Sequence, residues 1–261
     1  MTIPVTLNIE GEGQPFIWLH GMLNSVESDS LYSLIDLHQT AKKAKVIRYD
    51  ACGKSVYGDY RWDTMTDHLA QVVESGNYQE VIIGGCSMGS VSALHYAVKY
   101  PEKVKALILV TPPPAWEKRE AVKAVYRKIA SKAHGNSIPD FLKRLISITQ
   151  DPPEFYEQQH PGTRQKLMEY RLSFNPKYYA QIYLGGAASD LPSREQIASI
   201  KVPTLIAALP EDENHPLEIA QELNALIANS CMEVISDYTG YLNLQHKVEE
   251  FMAALECNNK L

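Results

Sequence analysis

Four cysteines in 261 residues (Cys52, Cys86, Cys231 and Cys257) form no Cys-x-x-Cys pair and follow no regular spacing. That scarcity argues against both a disulfide framework and a cysteine-bound metal, and it fits a reducing compartment. Positive charge is also short. A formal net charge of −6 excludes the basic footprint of a nucleic-acid-binding protein. No apolar run reaches the length of a membrane span. Met1-Thr2-Ile3-Pro4 has no basic segment leading into an apolar one, as a secretory signal would. Internal repeats and low-complexity tracts are missing as well. These absences predict a soluble, cytoplasmic protein with no metal, nucleic acid or membrane among its partners. A chain of this length, 45% apolar and 21% charged, suits one α/β domain or a domain with an insertion.

What is present centres on residues 80–100. Val81-Ile82-Ile83-Gly84 is an apolar run of strand length. Gly85-Cys86-Ser87-Met88-Gly89 follows, and then a small-residue helix from Ser90 through Val98. A Gly-x-Ser-x-Gly pentapeptide between a strand and a helix has the context of a nucleophile elbow. The serine at such a bend takes unfavourable backbone angles, so Ser87 is expected at positive φ. Residues two away on either side must be small for strand and helix to close up. The helix starting beneath the serine favours negative charge beside its Oγ.

The rest alternates. Val5 to Ile9 reads as a half-exposed strand and Phe16-Ile17-Trp18-Leu19 as a buried one, ending in His20-Gly21-Met22. Helical spacing runs through Leu31, Leu34, Ile35 and His38 to the strand Lys45–Tyr49. Gly53-Lys54-Ser55 ends like a phosphate loop, but position 48 is arginine where that motif needs glycine. A helix over Trp62, Met65, Leu69 and Val72, starting near Asp63-Thr64, precedes the elbow, and the strand Ala106–Val110 follows it. From Pro112 to about Ser199 no strand is evident, and Gly135-Asn136, Asp151-Pro152-Pro153 and Pro161-Gly162 break helical stretches. Alternation resumes with Thr204–Ala208, a helix from Leu217 to Ile227, the strand Met232–Ile235 and a last helix from about Val248. Repeated strand–helix alternation implies a mostly parallel sheet. The expected division is a core of residues 1–112 and 198–261, with 113–197 a helical lid over the carboxyl ends of the strands.

In this order the elements resemble the α/β-hydrolase superfamily over nearly the whole chain. The likeness rests on His20-Gly21, the Asp50-to-Ser55 loop, the elbow, Tyr100-Pro101-Glu102-Lys103-Val104, Val202-Pro203-Thr204-Leu205 and Glu249-Glu250-Phe251. The Asp50 loop is about two residues shorter than the family's. The resemblance implies Ser87 as nucleophile, the backbone N–H groups of Met88 and Met22 as oxyanion donors, and Asp212 as the acid, flanked by Glu211 and Glu213. No cofactor is expected.

The family's histidine falls on Tyr241, in Gly240-Tyr241. A phenol is a poor base at neutral pH, so Tyr241 is expected to contact substrate instead. His215, three residues after Asp212, is the candidate base by sequence; His246 is a second candidate, and no histidine at all is a third. His20 and His95 read as structural. The lid holds thirteen Lys/Arg against nine Asp/Glu, a net +4, so the remainder carries −10. A basic lid points to a small anionic or carboxylate-bearing substrate. Ten aromatic residues from Trp116 to Tyr183, Phe141 among them, suit an apolar pocket, with Trp116 and Arg119 as candidate substrate contacts. The expectation is a monomeric or homodimeric serine hydrolase of a small ester, lactone, thioester or activated C–C bond. Its alternative is a non-hydrolytic member, ligand-binding, lyase or cyclase, that has lost its base.

Overall fold

The computed structural model describes residues 6–55, 57–133, 140, 143–144 and 151–257. Val5, Phe141 and the Gly135-Asn136 break lie outside them. The sheet has seven strands: β1 (Leu7–Glu10), β2 (Pro15–Leu19), β3 (Lys45–Tyr49), β4 (Val81–Cys86), β5 (Val104–Val110), β6 (Thr204–Ala208) and β7 (Ser230–Val234). They lie in the order β1-β3-β2-β4-β5-β6-β7. Only β1 runs antiparallel to its neighbour; the other pairs are parallel, with Ile17 opposite Ile83 and Leu109 opposite Ile206. The serine therefore leaves the carboxyl end of a central strand.

Strand β5 shows why the central runs are continuously apolar. Leu107 and Leu109 enter the core on one face, with Leu69, Val91 and Ile182. Ala106, Ile108 and Val110 enter the core on the other, with Phe16, Ile35, Leu244 and Val248. Side chains alternate across a strand, so burial on both faces demands an apolar residue at every position. Each buried Leu or Ile contributes about 1.5–3 kcal/mol.

The helices are α1 (Val26–Leu31), α2 (Leu37–Thr40), α3 (Trp62–Ser75), α4 (Met88–Lys99), α5 (Arg119–Lys132), α6 (Glu154–Gln159), α7 (Thr163–Leu172), α8 (Pro176–Ala187), α9 (Arg194–Ala198), α10 (Leu217–Leu226) and α11 (Tyr238–Cys257). Two depart from expectation. The helical spacing through Leu31 and His38 belongs to two short helices. Tyr32 turns extended after α1, and the Asp36 carboxylate accepts from Gln39 N–H to start α2. The last helix begins ten residues before Val248. The Asp237 carboxylate accepts from Gly240 N–H at 2.7 Å and its carbonyl from Tyr241 N–H at 3.0 Å, a local start signal that nucleates α11 at Tyr238. No helix of the described residues is long and apolar enough to cross a membrane.

Between β5 and β6 the described residues form helices α5 to α9 and no strand. This insert packs on the loops that follow β2 and β3. Tyr170 reaches Ser25 and Lys54, Arg171 reaches Asn24, and a Cβ at Gly185 would stand 2.3 Å from the Tyr60 backbone. Its aromatic residues largely pack on one another: Phe174 meets Tyr170 and Tyr178 edge-on, as Tyr126 meets Tyr183.

Candidate active site

Ser87 sits between β4 and α4 with φ 52° and ψ −114°, a strained conformation for any residue with a Cβ. Neighbouring bonds over-determine it. Ser87 N–H donates to the Val110 carbonyl at 2.9 Å, and the Ser87 carbonyl accepts from Ser90 N–H at 3.0 Å and Ser90 Oγ at 2.6 Å. The small residues on either side are needed for closure. A Cβ at Gly85 would lie 2.4 Å from the Gly89 carbonyl carbon, and one at Gly89 would lie 2.0 Å from the Leu19 carbonyl oxygen. Both atoms are backbone and cannot swing aside. Gly89→Ala should therefore destabilise the chain by about 1–3 kcal/mol, read as a lower urea midpoint; an unchanged midpoint would show that the bend has room to spare.

His215 and Asp212 share the loop between β6 and α10. A three-residue tether is short, and the loop solves this by folding back. His215 N–H donates to the Asp212 carbonyl at 3.1 Å, and Asn214 N–H donates to Asp212 Oδ1 at 2.9 Å. This turn lays the imidazole over its own acid: Nδ1 is 2.7 Å from Asp212 Oδ2, and Nε2 is 2.9 Å from Ser87 Oγ. With a carboxylate on Nδ1, the imidazole carries its proton there and presents the Nε2 lone pair to the serine hydroxyl. Burial raises the Asp212 pKa, but the His215 hydrogen bond and charge and the Asn214 and His215 N–H groups outweigh it. The net pKa lies below the ordinary value, and the group is held as carboxylate. Cys86, next to the serine, is no rival nucleophile, since burial pushes its thiol up to about 12 despite a bond to Thr111.

Met88 opens α4, and Met22 lies in the bend after β2. Among the described residues neither backbone N–H has an acceptor. His20 supports the Met22 bend: its Nε2 accepts from Ala51 N–H at 2.9 Å, leaving Nδ1–H to donate to the Gly21 carbonyl at 2.7 Å. Burial lowers its pKa, which keeps that neutral tautomer, with the Gly21 bond opposing. His95 bonds the Asp190 carbonyl at 2.9 Å, from α4 to the insert.

Among the described residues, no hydrogen bond or ring contact joins the remaining candidates to the serine. Tyr241 lies on the first turn of α11, 8% exposed, its ring 5.3 Å from that of Tyr156 and 5.5 Å from that of Tyr238. Burial raises its pKa. It packs in the core because Asp237 starts the helix before it. His246 is exposed on the same helix. Arg119, expected to meet substrate, is fully buried; it donates to the Ser189 and Gly186 carbonyls and stacks on Trp62 with its guanidinium carbon 4.1 Å from the ring centre. Trp116 is tied by its backbone N–H to Asp190 and by Nε1 to the Pro192 carbonyl, with Arg194 over its ring. Both residues anchor the root of the insert. Asn24, Ser25, Tyr170 and Arg171, by contrast, adjoin the Met22 bend, and no spacing in the sequence pairs residues so far apart.

A sequence model of the alpha/beta hydrolase fold matches residues 14–246. The chain is 28% identical over 269 residues to a proline iminopeptidase of Heyndrickxia coagulans, covering 94% of this chain and 90% of that one. It is 28% identical over 239 residues to the AB hydrolase superfamily protein YisY of Bacillus subtilis, covering 87% and 85%. A thermophilic esterase from Thermogutta terrifontis superposes with a TM-score of 0.78 at 21% identity, over 96% of this chain and 93% of that one.

Proposed function

Since the chain belongs to the alpha/beta hydrolase fold family, we propose that it is a serine hydrolase that cleaves a small ester, lactone, thioester or activated C–C bond through Ser87. One observation carries the reading: His215 Nε2 stands 2.9 Å from Ser87 Oγ while its Nδ1 stands 2.7 Å from Asp212. That is the reach general-base catalysis needs. His215 takes the Ser87 proton as Oγ attacks the substrate carbonyl carbon. The N–H groups of Met22 and Met88 receive the developing oxyanion, worth roughly 2.7–4 kcal/mol per donor. His215 then protonates the leaving group, and water admitted beside it hydrolyses the acyl-enzyme by the same relay. Residues 113–197 serve as the lid over this site.

The non-hydrolytic alternative rested on a missing base. The His215 contact supports hydrolysis over it, and so do the relatives named as an iminopeptidase and an esterase. The basic lid still favours an anionic substrate, although Arg119 is turned inward. A fluorophosphonate probe should add one phosphonyl group to the native chain and none to Ser87→Ala, read by intact mass. Equal labelling of both, or of neither, would remove the proposal.

A further inference from the structure

We infer that Arg171 is a positioning residue for this reaction: from the lid it holds the Gly21–Ser25 loop, and with it the Met22 N–H. The inference rests on the hydrolase reading above.

The loop from the end of β2 to the start of α1 is held locally at its ends, by His20 on the Gly21 carbonyl and by the Ser25 cap of α1, and the Asn24 side-chain amide also bonds the Asp29 carboxyl. Asn24 N–H donates to the Gly21 carbonyl at 3.1 Å, closing a four-residue turn with Met22 in its bend. The restraints that the insert adds to this turn come from residues about 150 positions away. Arg171, 5% exposed near the end of α7, donates through Nη2 to Asn24 Oδ1 at 2.7 Å and to the Asp151 carboxylate. The adjacent Tyr170 places its hydroxyl 2.6 Å from Ser25 Oγ, and Lys54 Nζ donates to that hydroxyl at 3.3 Å. The Met22 side chain leans on α8, where a Cβ at Gly186 would come 3.2 Å from its sulfur. The end of α7 is itself fixed, since Tyr179 Oη donates to the Arg171 carbonyl.

An oxyanion donor acts only when aimed at the place where charge develops, so a small displacement costs rate. Ser25 is also secured as the N-cap of α1. Asn24 Oδ1 accepts only from Arg171 among the described residues. Arg171 is therefore the lid's grip on the side of the turn nearest Met22. Because the oxyanion exists only in the transition state and its intermediate, loosening that grip should lower kcat and spare KM.

The test uses the whole chain and a short-chain p-nitrophenyl ester. Arg171→Gln leaves Asp151 without its partner and risks the fold, so Asn24→Ala is measured beside it; that change keeps the Arg171–Asp151 pair. Each should lower kcat about tenfold with KM within about twofold, slow fluorophosphonate labelling in parallel, and fail to add in the double variant. Arg171→Lys, which keeps a donor, should recover most of the rate. A raised KM at unchanged kcat would make Arg171 a substrate contact and overturn the inference, as would a folded Asn24→Ala with native kcat. A native chain without Ser87-dependent turnover would remove the hydrolase reading and the grip's catalytic role together. An active native chain with unaffected variants removes the grip alone.

Discussion

His215→Ala should lower kcat for ester hydrolysis by about 10⁴- to 10⁶-fold, roughly 5–8 kcal/mol of transition-state stabilisation, and Ser87→Ala should lower it as far. The double variant should lose nothing more. A serine without a base and a base without a serine are equally idle, so the two losses share one cause. The geometry makes the expectation specific to this histidine. Among the described residues His215 is the imidazole within 2.9 Å of Ser87 Oγ; His20 donates to and accepts from loop backbone, and His246 is exposed on α11. His246→Ala should therefore keep native kcat. Tyr241→His should not raise kcat in the native chain and should not rescue His215→Ala, because position 241 lies on a helix among Tyr156 and Tyr238. If Tyr241→His restores turnover to His215→Ala, α11 unwinds in solution and the base can come from the end of the chain. If His215→Ala keeps more than about a tenth of the native kcat, the imidazole is not the base.

The elbow was legible because its causes are local. An apolar run buried on both faces, a serine between glycines and a small-residue helix each state their own requirement, and the atoms meeting at Gly85 and Gly89 show why. The alternation of apolar runs likewise read out the parallel sheet, since β2, β4, β5 and β6 each lack a polar face. Asp212 and His215 were legible as loop neighbours but not as partners. Their joining depends on a turn held by Asn214 N–H and the Asp212 carbonyl, which spacing alone does not reveal. The setting of Tyr241 was hidden for the opposite reason. The family frame assumes a loop there, whereas Asp237 provides a helix start that overrides it. The insert's hold on Asn24 and Ser25 was invisible, because residues 145 and 147 positions apart leave no periodic trace.

Asp212→Asn should cost about 10⁴-fold in kcat while leaving the chain folded. The carboxylate does two things at once: Oδ1 accepts from Asn214 N–H and holds the turn, and Oδ2 accepts from His215 Nδ1–H. An amide offers a single acceptor oxygen. If that oxygen stays on Asn214, the NH₂ group faces Nδ1, and the imidazole must move its proton to Nε2. Ser87 Oγ then meets an N–H where it needs a lone pair, so proton transfer stops although the distances survive. Fluorophosphonate labelling should fall in parallel, because phosphonylation needs the same proton taken. Stability gives an independent readout. The folded Asp212 pKa lies below its ordinary value of 3.8, so its ionisation stabilises the native state above that pH. This contribution is lost as pH falls below about 4 towards the folded value, and the unfolded chain takes up its proton first. Asp212→Asn lacks the group, so its stability should fall less steeply with acid in that window. A variant that keeps kcat within about tenfold would pass the orienting role to Glu211 or Glu213, whose carboxylates flank the same turn.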